Sequence, residues 1–219
     1  MKSKKSLLKR MLFVVSNPLI YWRLLLYHLN VIWERAIGVD FSRIEQAPDL
    51  NFQDNRLNGY WSSANGFLVN VMRSIEVKPS DKILDVGCGK GAALKLFKNA
   101  GFGVVDGLEY TMRLSLIARR NMDKLNMNCR VFNCDARLFS NYHDYNFFYF
   151  YNPFTGEIMR EVIDKIESTL ISHPRSVTII YKNAVCDEMI TSNGIFMKKA
   201  EIENQKNEKP FVLYINHLK

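Results

Sequence analysis

A short apolar run that ends beside an aspartate and passes straight into alternating glycines limits this chain more than any other feature. Lys82-Ile83-Leu84-Asp85-Val86 is followed by Gly87-Cys88-Gly89-Lys90-Gly91, and residues 92–99 then take helical spacing. The apolar run predicts a short buried strand. Glycine permits the backbone conformations and close approaches of a tight strand-to-helix turn, where a side chain would obstruct them. The helix start behind such a turn offers N–H groups with no partner inside the helix. In open α/β sheets, ligands bind in the crevice beyond the strand ends. The run therefore predicts a β-turn-α unit with a binding site at its turn.

The chain downstream repeats that unit. Residues 66–76 have helical spacing in Phe67, Leu68, Val71, Met72 and Ile75. Strands are predicted at 82–86, 103–108, 128–133, 146–151 and 176–181, and helices at 92–99, 111–125 and 155–171. Residues 195–200 and 211–216 predict a closing antiparallel pair around a polar loop. The nearly all-aromatic run 146–151 predicts a strand buried on both faces. Alternating β and α units give an α/β fold: a Rossmann-like, doubly wound, mostly parallel sheet of seven strands with a C-terminal antiparallel strand. The predicted division is an N-terminal helical extension and connector over 1–65 and a binding domain over 66–219.

The extension carries most of the charge. The net charge is +8, yet residues 1–35 hold Lys2, Lys4, Lys5, Lys9, Arg10, Arg23 and Arg35 against Glu34 alone. The body is thus near neutral, which argues against a nucleic-acid partner. The apolar run 11–15 is too short for a secretory signal, and the stretch 19–33 is interrupted by Arg23, His28 and Asn30, so it is too polar to span a membrane. An amphipathic helix fits better, with Asn17 as cap, Pro18 at the first position and Gly38 closing the end. Arg23, Tyr27, Asn30 and Glu34 fall on one narrow polar stripe, and the remaining circumference is apolar. The expectation is that residues 1–38 associate with a second chain or with an anionic membrane surface, the alternative being the protein's own domain. Residues 39–65 are rich in turn formers, and Tyr60-Trp61 close that connector. Cys88, Cys129, Cys134 and Cys186 show no metal-ligand spacing and predict reduced thiols in a cytoplasmic protein, the inner membrane face being the second location considered.

The companions of the glycine turn carry the functional information. A G-x-G-x-G turn alone is compatible with dinucleotide binding, because Ala92 stands where a third glycine is replaceable. Asp85 argues otherwise: a carboxylate at the strand mouth repels a pyrophosphate and attracts the ammonium of an amino-acid cofactor. With Glu109 at the end of the second strand and Cys134-Asp135-Ala136 after the third, residues 83–91 resemble the motifs of class I S-adenosylmethionine-dependent methyltransferases. The resemblance covers about residues 66–219. It implies S-adenosyl-L-methionine as cofactor, held by Asp85, Gly87, Cys88, Gly89, Gly91, Glu109, Asp135 and Ala136. Glu109 matches the acid that accepts from the ribose hydroxyls, and Asp135 the acid near the adenine amino group.

Tyr149-Phe150-Tyr151-Asn152-Pro153-Phe154, with Gly38-Val39-Asp40 and residues 179–183, is similar to a group of small bacterial methyltransferases. That group has Tyr-Asn-Pro after its fifth strand, whereas Ala184 follows Asn183 here. Asn152-Pro153-Phe154 also resembles the Asn-Pro-Pro-aromatic motif of amino-group methyltransferases, without its second proline. The resemblance implies that Tyr151, Asn152 and Phe154 line an acceptor pocket. Methyl transfer is an in-line displacement at an already activated carbon, so approach and water exclusion are the main requirements. Tyr149, Tyr151, Glu157 and His143 are candidates for a base where the acceptor is a hydroxyl. No metal is implied. The expected function is methyl transfer to an O or N acceptor on a small molecule or glycan. A protein or nucleic-acid amino group, or a non-catalytic membrane-associated module, is the alternative.

Overall fold

The computed structural model describes residues 18–43, 66–154, 156–204 and 209–216, and the chain divides into two compact units, 1–43 and 44–219. The first unit contains α1 (Pro18–Ile37). It ends as the sequence suggests: Gly38 has φ 80°, its N–H donates to the Arg35 carbonyl at 3.1 Å, and Val39 N–H donates to the Glu34 carbonyl at 2.9 Å. The polar stripe has a use that spacing did not reveal. Glu34 is buried and accepts from Phe41 N–H and Ser42 N–H, both at 2.9 Å, and from the Ser42 hydroxyl at 2.6 Å. Asn30 donates to the same carboxylate at 3.0 Å. One buried carboxylate thus fastens the helix to the turn that leaves it.

The expectation that residues 1–38 seat on a membrane surface or a second chain is corrected here. No helix among the described residues is long and apolar enough to cross a membrane. Asn30 and Glu34, on that polar stripe, close the unit's own turn. The basic cluster from Lys2 to Arg10, the Asn17 cap and the connector aromatics Tyr60 and Trp61 lie outside the described residues.

In the second unit, α2 (Gly66–Arg73) precedes β1 (Lys82–Val86), α3 (Ala92–Ala100), β2 (Val104–Glu109), α4 (Met112–Lys124) and β3 (Arg130–Asn133). Two 3-10 turns follow, then β4 (Phe147–Tyr151), α5 (Gly156–Ser172), β5 (Thr178–Lys182), α6 (Asp187–Thr191), β6 (Phe196–Ile202) and β7 (Phe211–Asn216). The seven strands lie in the order β3-β2-β1-β4-β5-β7-β6. β7 pairs antiparallel with both β5 and β6, and the other pairs are parallel. This is the predicted doubly wound sheet with its antiparallel closing pair. The boundary predicted at residue 65 falls in the segment outside the described residues.

Strand alternation sorts the sheet into two faces. Leu84, Val86, Phe148, Phe150, Ile179, Tyr181, Val212 and Tyr214 pack with Ile158, Met159, Val162, Ile163 and Ile166 of α5 in one cluster. On the opposite face Tyr149 meets Phe97 of α3 edge-on, with ring centres 5.1 Å apart. The first four residues of β4 are buried, as its aromatic run implies. The five-residue helix α6 was not predicted, because one turn and a half is too short to show periodicity.

Candidate functional site

Order-reversal of strands fixes where the crevice opens. β1 has β2 on one side and β4 on the other, so the segments leaving β1 and β4 diverge beyond the carboxyl ends of the strands. The glycine turn leaves β1 there. Gly87 N–H and Cys88 N–H both donate to the Leu108 carbonyl, at 2.8 and 3.0 Å, stitching the turn to β2. Gly91 N–H donates to the Cys88 carbonyl at 2.9 Å, and Gly89 N–H to the Glu109 carboxylate at 2.9 Å. The amides of these four residues are therefore engaged within the protein. The turn itself offers shape and close approach.

Two glycines are demanded by geometry. Gly87 has φ 86°, and a Cβ there would stand 2.7 Å from Cβ of Pro153. A Cβ on Gly107 of β2 would stand 2.6 Å from the Cys88 sulfur. Cys88 thus tucks its side chain into space that Gly107 leaves open. Its thiol is pushed well above the ordinary range by burial, with Asp85 and Glu109 adding to the effect. Its side chain packs at the turn against Gly107.

Asp85 and Glu109 project from the same face of the sheet, because Asp85 pairs with Gly107, two residues before Glu109. Both are buried. Burial raises the Asp85 pKa well above its ordinary value, and the neighbouring Glu109 raises it further. Burial also raises Glu109, offset in part by hydrogen bonds from Thr111 and Gly89. One Glu109 oxygen accepts from Gly89 N–H and the other from Thr111 N–H at 2.8 Å. Each oxygen keeps acceptor capacity for a further donor. Glu109 is thus both a candidate ligand group and the brace between β2 and the glycine turn.

These residues fit a cofactor that carries an ammonium, a sulfonium and ribose hydroxyls. Two buried carboxylates whose charged forms are disfavoured alone would be stabilised by a cation beside them. The sign of the pH effect follows. A carboxylate raised in the folded protein favours its neutral form there, so its contribution to stability is lost as pH rises from its ordinary value through the raised one. A cationic ligand reverses that preference and expels protons. Binding of S-adenosylhomocysteine, which keeps the ammonium, is expected to release protons below the raised Asp85 pKa and to strengthen as pH rises toward it. Calorimetry in buffers of different ionisation enthalpy measures the release. Asp85→Asn should reduce it, and an unchanged release would remove Asp85 from the site.

Asp135 and Ala136 follow β3. Asp135 caps the first 3-10 turn, accepting from Arg137 N–H at 2.8 Å, and its second oxygen takes the Arg137 guanidinium at 2.7 Å. An adenine amino group would have to share this carboxylate with Arg137. Ala136 is buried, and its carbonyl accepts from the Tyr142 hydroxyl at 2.8 Å.

The expected acceptor residues are divided by the structure. Asn152 leaves β4 with φ 42°, beside the glycine turn through its neighbour Pro153. The Tyr151 ring lies under the Lys182 ammonium at 4.0 Å. Phe154 is 5% exposed and packs edge-on to Phe150, 6.4 Å between ring centres. Its ring belongs to the core cluster.

Three residues escaped the sequence reading. Pro153 was read only as part of a motif, not as the contact on Gly87. Lys182 is 1% exposed, between the Tyr151 and Phe211 rings. Its signal was a lysine directly after an apolar run. Asn121 is fully buried and donates to the Lys90 carbonyl at 2.9 Å, bracing the glycine turn from α4. Its signal was one polar residue in register with Leu114 and Ala118.

No family model matches the chain, and no curated protein matches it in sequence. Solved structures do match in fold. A protein from Pyrococcus horikoshii OT3 is 17% identical with a TM-score of 0.56, over 77% of this chain and 94% of that one. A ribosomal protein L11 methylase from Lactobacillus delbrueckii subsp. bulgaricus is 15% identical with a TM-score of 0.54, over 69% and 77%. The magnesium protoporphyrin IX methyltransferase of Synechocystis, solved with bound S-adenosylmethionine, is 14% identical with a TM-score of 0.51, over 68% and 76%. At these identities the likeness is one of fold alone, a Rossmann-like α/β fold.

Proposed function

We propose that this protein is an S-adenosylmethionine-dependent methyltransferase that acts on an oxygen or nitrogen of a small molecule or glycan. The observation that carries the reading is the pair of buried carboxylates, Asp85 and Glu109, on one face beside the glycine turn. In this reading Asp85 faces the cationic amino-acid part of the cofactor. Glu109 accepts from the ribose hydroxyls while still holding Gly89 and Thr111. Asp135 and Ala136 border the adenine. S-adenosylmethionine supplies a methyl group already activated by its sulfonium.

The chain's own residues then have to orient the acceptor and keep water out. Asn152 is the polar residue of the Asn-Pro segment whose Pro153 rests on Gly87, and its side-chain carbonyl suits an N–H or O–H of the acceptor. Tyr151 gives the pocket an aromatic wall whose orientation the Lys182 contact fixes. The Tyr151-Asn152-Pro153-Phe154 motif supports a place among the small bacterial methyltransferases that carry it. With Phe154 in the core, the stacking aromatic of the amino-group motif lacks its counterpart here, which favours the small-molecule reading over a protein or nucleic-acid amino group.

Calorimetric titration tests the proposal. S-adenosylhomocysteine and S-adenosylmethionine are expected to bind and NAD is not. Tight NAD binding with no response to either sulfur ligand would sink it.

A further inference from the structure

We propose that Pro153 is a positioning residue that couples the cofactor turn to the acceptor turn, so that the two act as one mechanical piece. The inference rests on the methyltransferase reading and adds to it a residue that reading leaves without a role. β1 and β4 are parallel neighbours, with Val86 paired to Phe150. Gly87 and Pro153 therefore emerge side by side beyond the strand ends. The contact is close enough that a Cβ on Gly87 would meet Cβ of Pro153 at 2.7 Å, Cγ at 3.7 Å and Cα at 3.8 Å. The absence of a side chain at residue 87 is what lets the proline ring lie there.

Asn152 shows why such a clamp is needed. It has φ 42°, a conformation that costs any residue other than glycine, although asparagine tolerates it better than most. It also precedes a proline, whose ring restricts the backbone of the residue before it. Strained positions persist where their surroundings over-determine them. Here two anchors follow it directly in the chain. Pro153 rests on the glycine turn, and Phe154 is sunk into the core against Phe150. Asn152, at the head of this segment, is held in its strained state by both anchors. A change at Gly87 is thereby transmitted through one side-chain contact to the residue expected to hold the acceptor. Asn152 would do the holding and Pro153 only the placing.

A suppressor experiment on the full chain reads this contact, with S-adenosylhomocysteine as the probe and calorimetry as the measurement. Gly87→Ala is expected to weaken binding about thirty-fold, and adding Pro153→Gly should recover roughly five-fold or more, the scale of coupling between residues in contact. Adding Pro153→Ala to Gly87→Ala should recover little, because alanine keeps the Cβ that collides. In the Pro153→Gly single variant, the Asn152 side-chain amide signal in a nitrogen-15 correlation spectrum is expected to move or split. Should Gly87→Ala fail to fold, the same comparison is read in thermal melts: rescue of a cooperative transition by Pro153→Gly and not by Pro153→Ala supports the coupling. Equal recovery by both second substitutions, recovery by neither, or an Asn152 amide signal untouched in Pro153→Gly would each overturn it. A wild-type chain that does not bind S-adenosylhomocysteine would instead overturn the methyltransferase reading itself.

Discussion

Phe154→Ala is expected to destabilise the protein by about 3–5 kcal/mol, the range for truncating a buried aromatic. The ring is 5% exposed and sits in the cluster with Phe150, Ile158, Met159 and Tyr181. Truncation removes the transfer energy of the ring and leaves a cavity that the sheet and α5 close only partly. Phe154→Leu fills most of that volume and should cost far less, about 1 kcal/mol. Denaturant melts measure both. A lining residue of an acceptor pocket would behave differently: its truncation would spare the melt and alter acceptor binding. Near-wild-type stability of Phe154→Ala would therefore return the ring to the pocket and remove one of the two anchors assigned to Asn152.

Glu109→Ala should change stability and cofactor affinity together. The substitution deprives Gly89 N–H and Thr111 N–H of their acceptors, each such buried loss costing about 1–3 kcal/mol. Relief from burying a carboxylate whose pKa burial raises offsets part of this, so a net loss of about 2 kcal/mol is expected. Affinity for S-adenosylhomocysteine should fall by a further amount of roughly 1–3 kcal/mol, the scale of charge-assisted hydrogen bonds. Glu109→Gln separates the two effects. It keeps one side-chain oxygen as an acceptor but exchanges the other for a donor that faces an N–H. Stability should return in part while affinity stays low. Full affinity in Glu109→Ala, with only the melt changed, would make Glu109 a brace and nothing more.

The candidate site was legible in the sequence to different depths. Asp85, the glycines and Glu109 could be read from order and spacing, because a strand end, a turn and a helix start follow one another along the chain and each demands particular residues. The same reasoning placed α1 and the ends of the sheet, since Gly38 and the alternation of apolar runs are local signals. It found the polar stripe of α1 but not its use. Helical spacing reveals which residues share a face but not whether that face meets water. Glu34 shares a face with Asn30, yet its carboxylate is buried under its own turn by Phe41 and Ser42.

What the sequence determined by itself was the α/β alternation, the position of the glycine turn after the first strand, and the acids two residues before that turn and at the end of the second strand. Each rests on contacts within a few residues or on a period of two or 3.6, so the chain carries it in linear form. Only the tertiary structure decided that Pro153 lies on Gly87, that Cys88 fills the space above Gly107, that Glu109 ties Gly89 to Thr111, and that Phe154 turns into the core. The contacts of Cys88 with Gly107, Glu109 with Gly89 and Pro153 with Gly87 join segments 19, 20 and 66 residues apart in the chain. Strand order, register and the fit of one side chain into the space another leaves empty decide them, and none of the three is written in local spacing.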